Sequence, residues 1–352
     1  MKPKIIFRAD GNRYIGVGHV IRSLALADML KAEFNCIWAI QQSDEYLASL
    51  IRQSASEIIS LEAIDNYTSG IDEKYIYEAN QFSQKHLSGN EIVVLDGYHF
   101  KTSYQQIIKS TGCKVVAIDD LHAWHNVADL IINHAEGVRL ENYSAEPYTQ
   151  FCLGLKFALL RSPFLRKTNA ARKINSVKKI FVSMGGADTN NVCGKILMIL
   201  AQVKKIEAVT VLPGNGNQHI NRLEEIIRST PGKNIQLKFN LAAQELSDEL
   251  ASCQLAVCPG SGTAIEACAT GIGIISGHTV SNQLSILNGL KSHHCLIDVG
   301  NLVTVNSDSI YFAIMKLINN PSEINEMILH QQKLIDGKSP ERLLEYFLKL
   351  SK

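Results

Sequence analysis

Short apolar runs recur along the chain. Each is bounded by glycine or polar residues and followed by a longer stretch whose apolar positions return every three or four residues. Runs at 4–7, 36–40, 92–95, 115–118 and 130–132 form a first set, and runs at 180–183, 208–212, 235–239, 255–258 and 272–275 form a second. They are rich in Val and Ile and apolar on both faces, the pattern of parallel strands covered by helices. Their alternation with helical stretches predicts an α/β fold. Between the sets, RKTNAARKINSVKK at 166–179 is basic, polar and without apolar periodicity, and reads as a linker. It divides the chain into an N-terminal α/β domain at 1–165 and a C-terminal one at 180–352. The second half restarts the grammar of the first with a strand (KIFVSM), a glycine turn (GGAD) and a helix (NNVCGKILMILAQV). The closing SPERLLEYFLKL predicts a terminal helix, with Ser339 as N-cap and Pro340 at the first helical position.

A chain of 352 residues, 46% hydrophobic, has room for about two domains with buried cores. A net charge of +1 gives no electrostatic case for nucleic acid or for an anionic membrane. No apolar run approaches the roughly 20 residues of a membrane-spanning helix. The opening MKPKIIFRAD has too short an apolar core for a secretory signal. Eight cysteines, none in a CxxC pair, lie mostly in apolar runs and read as buried free thiols of a reducing cytoplasm rather than as zinc ligands. The expectation is a cytoplasmic monomer with no metal, no cofactor, no nucleic-acid partner and no membrane insertion.

The first strand runs into RADGNRYIGVGH at 8–19. Gly11, Gly16 and Gly18 allow a sharp turn and close approach of a ligand. A helix starts near Gly18 or His19, with Val20, Ile21, Leu24, Ala27 and Leu30 as its buried stripe. His19, Arg22 and Ser23 share a neighbouring face by i, i+3 and i+4 spacing. In open α/β sheets ligands sit beyond the carboxyl ends of strands, and a helix N-terminus favours negative charge. Asp10, Asn12, Gly16, Gly18 and Arg22 are therefore candidates for substrate contact, and His19 for a general base. A packing or capping histidine on an ordinary helix is the competing reading. GVGHVI lacks the third glycine of the GxGxxG dinucleotide fingerprint.

A second glycine turn, CPGSGTAIEACATG at 258–271, follows the strand QLAVC. Its helix-start amides at Gly262, Thr263 and Ala264 suit a diphosphate, and Glu266 suits a ribose diol. The alternative is a capping box, since Thr263 and Glu266 have its spacing and either Ser261 or Thr263 can cap. SMGGAD at 183–188 offers a further amide nest at Gly185 and Gly186, and SNQ at 281–283 opens a predicted helix with Asn282 and Gln283. Tyr98 in LDGYHF is placed to point into a cleft or to pack at a strand end. Asp119 and Asp120 read as a structural strand-end turn, and His122 and His125 as loop histidines.

Taken in order, RADGNRYIGVGHVIRSLALA, LDGYHF, AIDD, LGLKFALLR, SMGGAD, GSGTAIEACATG and SNQ resemble the UDP-2,4-diacetamido-2,4,6-trideoxy-β-L-altropyranose hydrolases of pseudaminic acid biosynthesis. The similarity runs from Lys4 to about Leu290. The GSGTAIE stretch is also similar to nucleotide-sugar glycosyltransferases such as the one that adds N-acetylglucosamine to lipid II precursors. The resemblance implies a GT-B-type pair of Rossmann-like domains with an interdomain cleft. It implies metal-independent, inverting hydrolysis of the anomeric C–O bond, with release of UDP. His19 matches the family's water-activating histidine and Tyr98 a tyrosine near the sugar. Ser261, Gly262, Thr263, Glu266, Asn282 and Gln283 match the UDP side.

The chemistry is consistent with so few polar groups. UDP leaves as a stable anion, so one base is sufficient when helix-start amides neutralise the diphosphate. A GT-B glycosyltransferase with a sugar acceptor, and a nucleotide-sugar-binding protein without turnover, remain the alternatives.

Overall fold

The computed structural model describes residues 2–11, 17–41, 45–64, 71–214 and 216–352, apart from the side chain of residue 46. The chain folds as two units: Met1–Arg161 with Lys338–Lys352, and Ser162–Gly337.

The first unit carries strands β1 (Lys4–Ala9), β2 (Asn35–Gln41), β3 (Glu57–Leu61), β4 (Ile92–Asp96), β5 (Lys114–Ile118), β6 (His125–Asn126), β7 (Leu130–Asn133), β8 (Ser144–Ala145) and β9 (Gln150–Leu153). Helices α1 (Gly18–Leu30), α2 (Glu45–Arg52), α3 (Ile71–His86) and α4 (Thr102–Ser110) alternate with them. Seven strands form one parallel sheet in the order β3-β2-β1-β4-β5-β7-β9, and β6 pairs with β8. Alternate residues of each strand bury on opposite faces. Ile5, Phe7, Trp38, Val94 and Val116 pack with Val20, Leu24 and Ala27 of α1, whereas Ile6, Ile37, Val93 and Val115 pack with Ala79 and Phe82 of α3 and Ile108 of α4. That two-sided burial is why the strands read as unbroken apolar runs.

The second unit carries a short α5 (Ser162–Leu165), then β10 (Lys179–Val182), α6 (Val192–Ala201), β11 (Ala208–Val211), α7 (Ile220–Arg228), β12 (Asn234–Leu237), α8 (Ala243–Ser252), β13 (Leu255–Pro259), α9 (Gly262–Thr270), β14 (Gly273–His278), α10 (Leu284–Ser292), β15 (Ile297–Asn301), α11 (Ser307–Asn319) and α12 (Pro321–Leu334). Its parallel sheet has the order β12-β11-β10-β13-β14-β15. In both sheets the chain goes to one side of the first strand and later returns to its other side. The resulting switch points, between β1 and β4 and between β10 and β13, are where open α/β sheets bind ligands. The fold class expected from the sequence, paired Rossmann-like α/β sheets, is the one observed.

Three strands of the main sheets escape the sequence pattern: β3, β9 and β15. All three lie at sheet edges. An edge strand is buried less fully, so its apolar run is broken, as the exposed and half-buried positions of EIISL and the uniformly half-buried IDVGN show. Residues 166–179 also correct the linker expectation. Ile174 and Val177 are buried in the core of the second unit, and Asn325 clasps Ile174 through both its amide N–H and its carbonyl. Two apolar anchors are too few to register as periodicity.

The terminal helix α13 (Ser339–Leu350) corrects the second domain boundary, because it belongs to the first unit. Leu343 and Phe347 are fully buried there, and the Phe347 ring meets Phe34 edge-on at 6.2 Å. Ser339 is the first helical residue and Lys338 takes the cap position, so Pro340 lies in the first turn one position later than expected. All eight cysteines are buried and free, with burial pushing thiols such as Cys36 and Cys258 up to about 12. Among the described residues no helix is long and apolar enough to cross a membrane.

Candidate active site

The switch point of the first sheet gathers the polar groups that matter. α1 begins at Gly18 behind Val17, with no side-chain cap, and presents His19, Arg22 and Ser23 toward the end of β4. That strand, IVVLD, is wholly buried and ends on a carboxylate, Asp96, whose side chain is 0% exposed. Asp96 Oδ1 lies 2.7 Å from His19 Nδ1, and Arg22 donates to the same carboxylate through Nε (2.8 Å) and Nη2 (2.6 Å). The Ser23 hydroxyl donates a further bond of 2.8 Å. Burial by itself would raise the Asp96 pKa, but Arg22 and His19 outweigh it and hold the carboxyl well below the usual carboxylate range.

An ionised carboxylate only accepts, so the proton of the 2.7 Å bond sits on His19 Nδ1. Arg22 Nη2 comes within 3.1 Å of that nitrogen while giving one of its two hydrogens to Asp96. In the neutral form of the His19 imidazole the lone pair lies on Nε2, which suits proton abstraction. Tyr98, two residues beyond Asp96, meets the His19 ring edge-on at 4.8 Å. The structure therefore brings together three of the expected residues, His19, Arg22 and Tyr98, around one that the sequence reading left out. The signal for Asp96 was present: a lone carboxylate closing a strand that is otherwise apolar.

Asp10 lies at the same end of the sheet, since Ala9 pairs with Asp96, but its carboxylate is engaged by other groups. Its Oδ1 pairs with Arg8 Nη1 at 2.7 Å and accepts the Gln41 amide at 2.8 Å. Arg8 is fully buried, also reaches Glu78 at 3.3 Å, and lies over the Phe100 ring at 5.1 Å. Burial opposes its charge, but Asp10 and Glu78 outweigh that and raise its pKa further. Asp10 thus anchors the start of the glycine loop to β2 rather than joining His19. Gly18 is exposed at the helix mouth. Asn12 and Gly16 lie outside the described residues.

Asp119 and Asp120 divide their work. Asp119 Oδ1 accepts the amides of Leu121 (2.9 Å) and His122 (3.0 Å), the strand-end turn expected of it. Asp120 instead pairs with Arg22 Nη1 at 2.9 Å, which the sequence reading missed. His122 packs edge-on against Tyr143, and exposed His125 bonds Ser144 and Glu146.

In the second unit, the turns after β10 and β13 lie at the ends of switch-point strands. Gly185 has φ +81°, open only to glycine at low cost, and the Gly216 amide closes on Gly186 O at 2.9 Å. Asp188 takes the amides of Val192 (2.7 Å) and Cys193 (3.0 Å), which pins the turn to α6. At α9, Ser261 is the N-cap, yet its side chain makes no cap bond, and its hydroxyl faces Pro259 O at 3.4 Å. The capping box considered for Thr263 and Glu266 is therefore not formed; Glu266 is buried one turn inside the helix. Ala264 donates back to Ser261 O at 2.9 Å, so the helix-start amides on offer are those of Gly262 and Thr263. Gln283 spends its side-chain oxygen on the Thr279 amide (2.7 Å), so it shapes the turn before α10, while Asn282 is exposed beside it.

No family model matches the chain. It is 24% identical over 280 residues to an uncharacterized protein of Methanocaldococcus jannaschii, covering 77% of this chain and 55% of that one, so it spans about half of that relative's length. It is 24% identical over 230 residues to the UDP-2,4-diacetamido-2,4,6-trideoxy-beta-L-altropyranose hydrolase of Campylobacter jejuni, covering 64% of this chain and 74% of the relative. To the spore coat polysaccharide biosynthesis protein SpsG of Bacillus subtilis it is 21% identical, covering 94% and 93%. Among solved structures, Acinetobacter baumannii MurG matches with a TM-score of 0.67 at 13% identity over 99% of this chain and 100% of its own. A complex of S. aureus MnaA with UDP matches with a TM-score of 0.67 at 16% identity over 99% and 98%. The chain is thus related in sequence to the altropyranose hydrolase and to SpsG, and it has the GT-B fold of two Rossmann-like domains.

Proposed function

We propose that the chain acts on a UDP-sugar, and that it hydrolyses UDP-2,4-diacetamido-2,4,6-trideoxy-β-L-altropyranose to UDP and the free sugar used for pseudaminic acid. The observation that carries the reading is the His19–Asp96 pair at 2.7 Å, at the carboxyl ends of the switch-point strands. Sequence similarity to a hydrolase of that substrate supports it.

In this scheme His19 Nε2 takes a proton from water as the water oxygen forms a bond to the anomeric carbon. The anomeric C–O bond breaks on the opposite face, and its electron pair leaves with the UDP β-phosphate. The sugar is released with inverted configuration, and the imidazolium returns its proton to solvent. Asp96 holds the Nδ1–H tautomer and faces the positive charge that forms on the ring. The helix-start amides of Gly262 and Thr263, with the Gly185–Gly186 turn, supply donors to the diphosphate as charge builds on it. Glu266 and Asn282 serve the nucleoside, and Tyr98 the sugar. A divalent ion is not required for a leaving group of this stability.

The test is proton NMR of the purified protein with that UDP-sugar in EDTA and no acceptor. UDP and free sugar, α-anomer first, are the expected products. Intact substrate that turns over only when an acceptor hydroxyl is added would overturn hydrolysis in favour of transfer. Tight binding without product in either case would overturn both.

A further inference from the structure

We infer that Asp120 is a positioning residue for His19, acting at one remove through Arg22. The inference rests on the proposed role of His19 and adds a residue to it.

The geometry is a chain of four side chains from three parts of the first unit. Asp120, just past the end of β5, accepts from Arg22 Nη1 at 2.9 Å. Arg22 turns its other edge to Asp96, with Nε to Oδ2 at 2.8 Å and Nη2 to Oδ1 at 2.6 Å. Asp96 in turn holds His19 Nδ1 at 2.7 Å. All three guanidinium nitrogens are thus spent on two carboxylates. A bidentate contact to Asp96 defines the guanidinium plane. The Asp120 contact fixes its far corner, so the group cannot pivot and carry the carboxylate with it.

Asp120 sits in a firmly held turn, and among the described residues its side-chain bond is the one to Arg22. The turn around it is pinned by its neighbour, Asp119, whose carboxylate takes the Leu121 and His122 amides and the Asn126 side chain. The Tyr143 hydroxyl donates to Asp119 O at 2.8 Å, and Asn133 donates to that hydroxyl at 2.9 Å. The strand-end turn therefore needs only the first of the two adjacent acids. His134, the nearby buried imidazole, has its Nδ1 engaged by the Leu159 amide at 3.3 Å, and burial drives its pKa down to about 4. It stays neutral at pH 7 and offers Asp120 no rival cation. Among the described residues the ion pair of Asp120 is with Arg22.

The experiment uses the full chain, Asp120→Asn, Asp120→Glu and the pair Asp96→Asn with Asp120→Asn. Loosening the outer anchor is expected to lower kcat by about 10- to 100-fold with KM nearly unchanged, since misplacing a catalytic group by an ångström has that effect. Asp120→Glu should restore part of it. In the Asp96→Asn background the second change should add almost nothing, because the relay is already cut. The independent readout is the ¹⁵N spectrum of the labelled His19 ring. It should show the Nδ1–H tautomer in the native chain and a tautomer mixture in Asp120→Asn. An unchanged His19 spectrum would overturn the inference, as would a loss of kcat that multiplies in full on the Asp96→Asn background. The spectrum reads the relay whether or not the UDP-sugar is turned over, so failure of the proposed reaction and failure of this inference are separate outcomes.

Discussion

His19 Nδ1 and Asp96 Oδ1 lie 2.7 Å apart, although 77 positions separate them in the chain. The pair forms because α1 follows β1 and β4 pairs directly with β1, which brings the start of the helix and the end of β4 to one end of the sheet. His19→Ala removes the proposed base, which belongs to the first unit. Turnover should fall by about 10²- to 10⁴-fold, the usual contribution of a positioned base. UDP affinity by calorimetry should stay near the native value. Near-native turnover would rule out His19 as the base.

Asp96 is a folding group as well as the partner of the proposed base. Its side chain is fully buried and satisfies Arg22, Ser23 and His19 together. Asp96→Ala leaves Arg22 with Asp120 alone and deprives Ser23 Oγ of its acceptor. A stability loss of about 3–5 kcal/mol is expected from breaking a buried pair on one side, measured by urea unfolding at pH 7. A loss below about 1 kcal/mol would show that water replaces the carboxylate freely.

His134 makes stability depend on pH in a defined window. Burial lowers its folded-state pKa to about 4. In the unfolded chain a histidine titrates near 6.5. Between these values the unfolded chain binds a proton that the folded chain refuses, so stability falls as the pH drops from about 6.5 toward about 4. The share of this one group is roughly 3 kcal/mol across the window. His134→Gln should flatten the pH dependence by that amount, read as the difference between native and variant urea midpoints at pH 7 and pH 4.5. Parallel slopes in the two proteins would contradict a buried neutral imidazole.

The glycine turns of the second unit admit no side chain at Gly214. A Cβ there would stand 2.1 Å from Gly186 O and 2.2 Å from Gly185 O, both backbone atoms. Gly214→Ala must therefore push the 185–186 turn away. If that turn holds the diphosphate, UDP affinity should fall at least about tenfold, a difference of about 1.4 kcal/mol, while the His19 tautomer spectrum stays native. Unchanged UDP binding would move the diphosphate to the α9 turn alone.

Much of this was legible in the sequence, for local physical reasons. Strands buried on both faces must be apolar at every position, so IIF, IVVL and VVAI announced themselves, and the glycines before His19 and Thr263 marked turns that open helices. Candidate chemistry at the helix mouths followed, because a free helix N-terminus is a property of a few consecutive residues. Other features had no local signature. The edge strands β3, β9 and β15 are only partly buried, so their composition carries half the signal. The return of α13 to the first unit depends on where Phe34 presents its ring. Above all, the sequence by itself determined which residues could do chemistry, and only the tertiary structure decided which of them lie together. Asp96 and Asp120 reach Arg22 across separations of 74 and 98 residues because strand order sets β1, β4 and β5 side by side. That order comes from the packing of helices on two faces of one sheet, which no single stretch of sequence encodes.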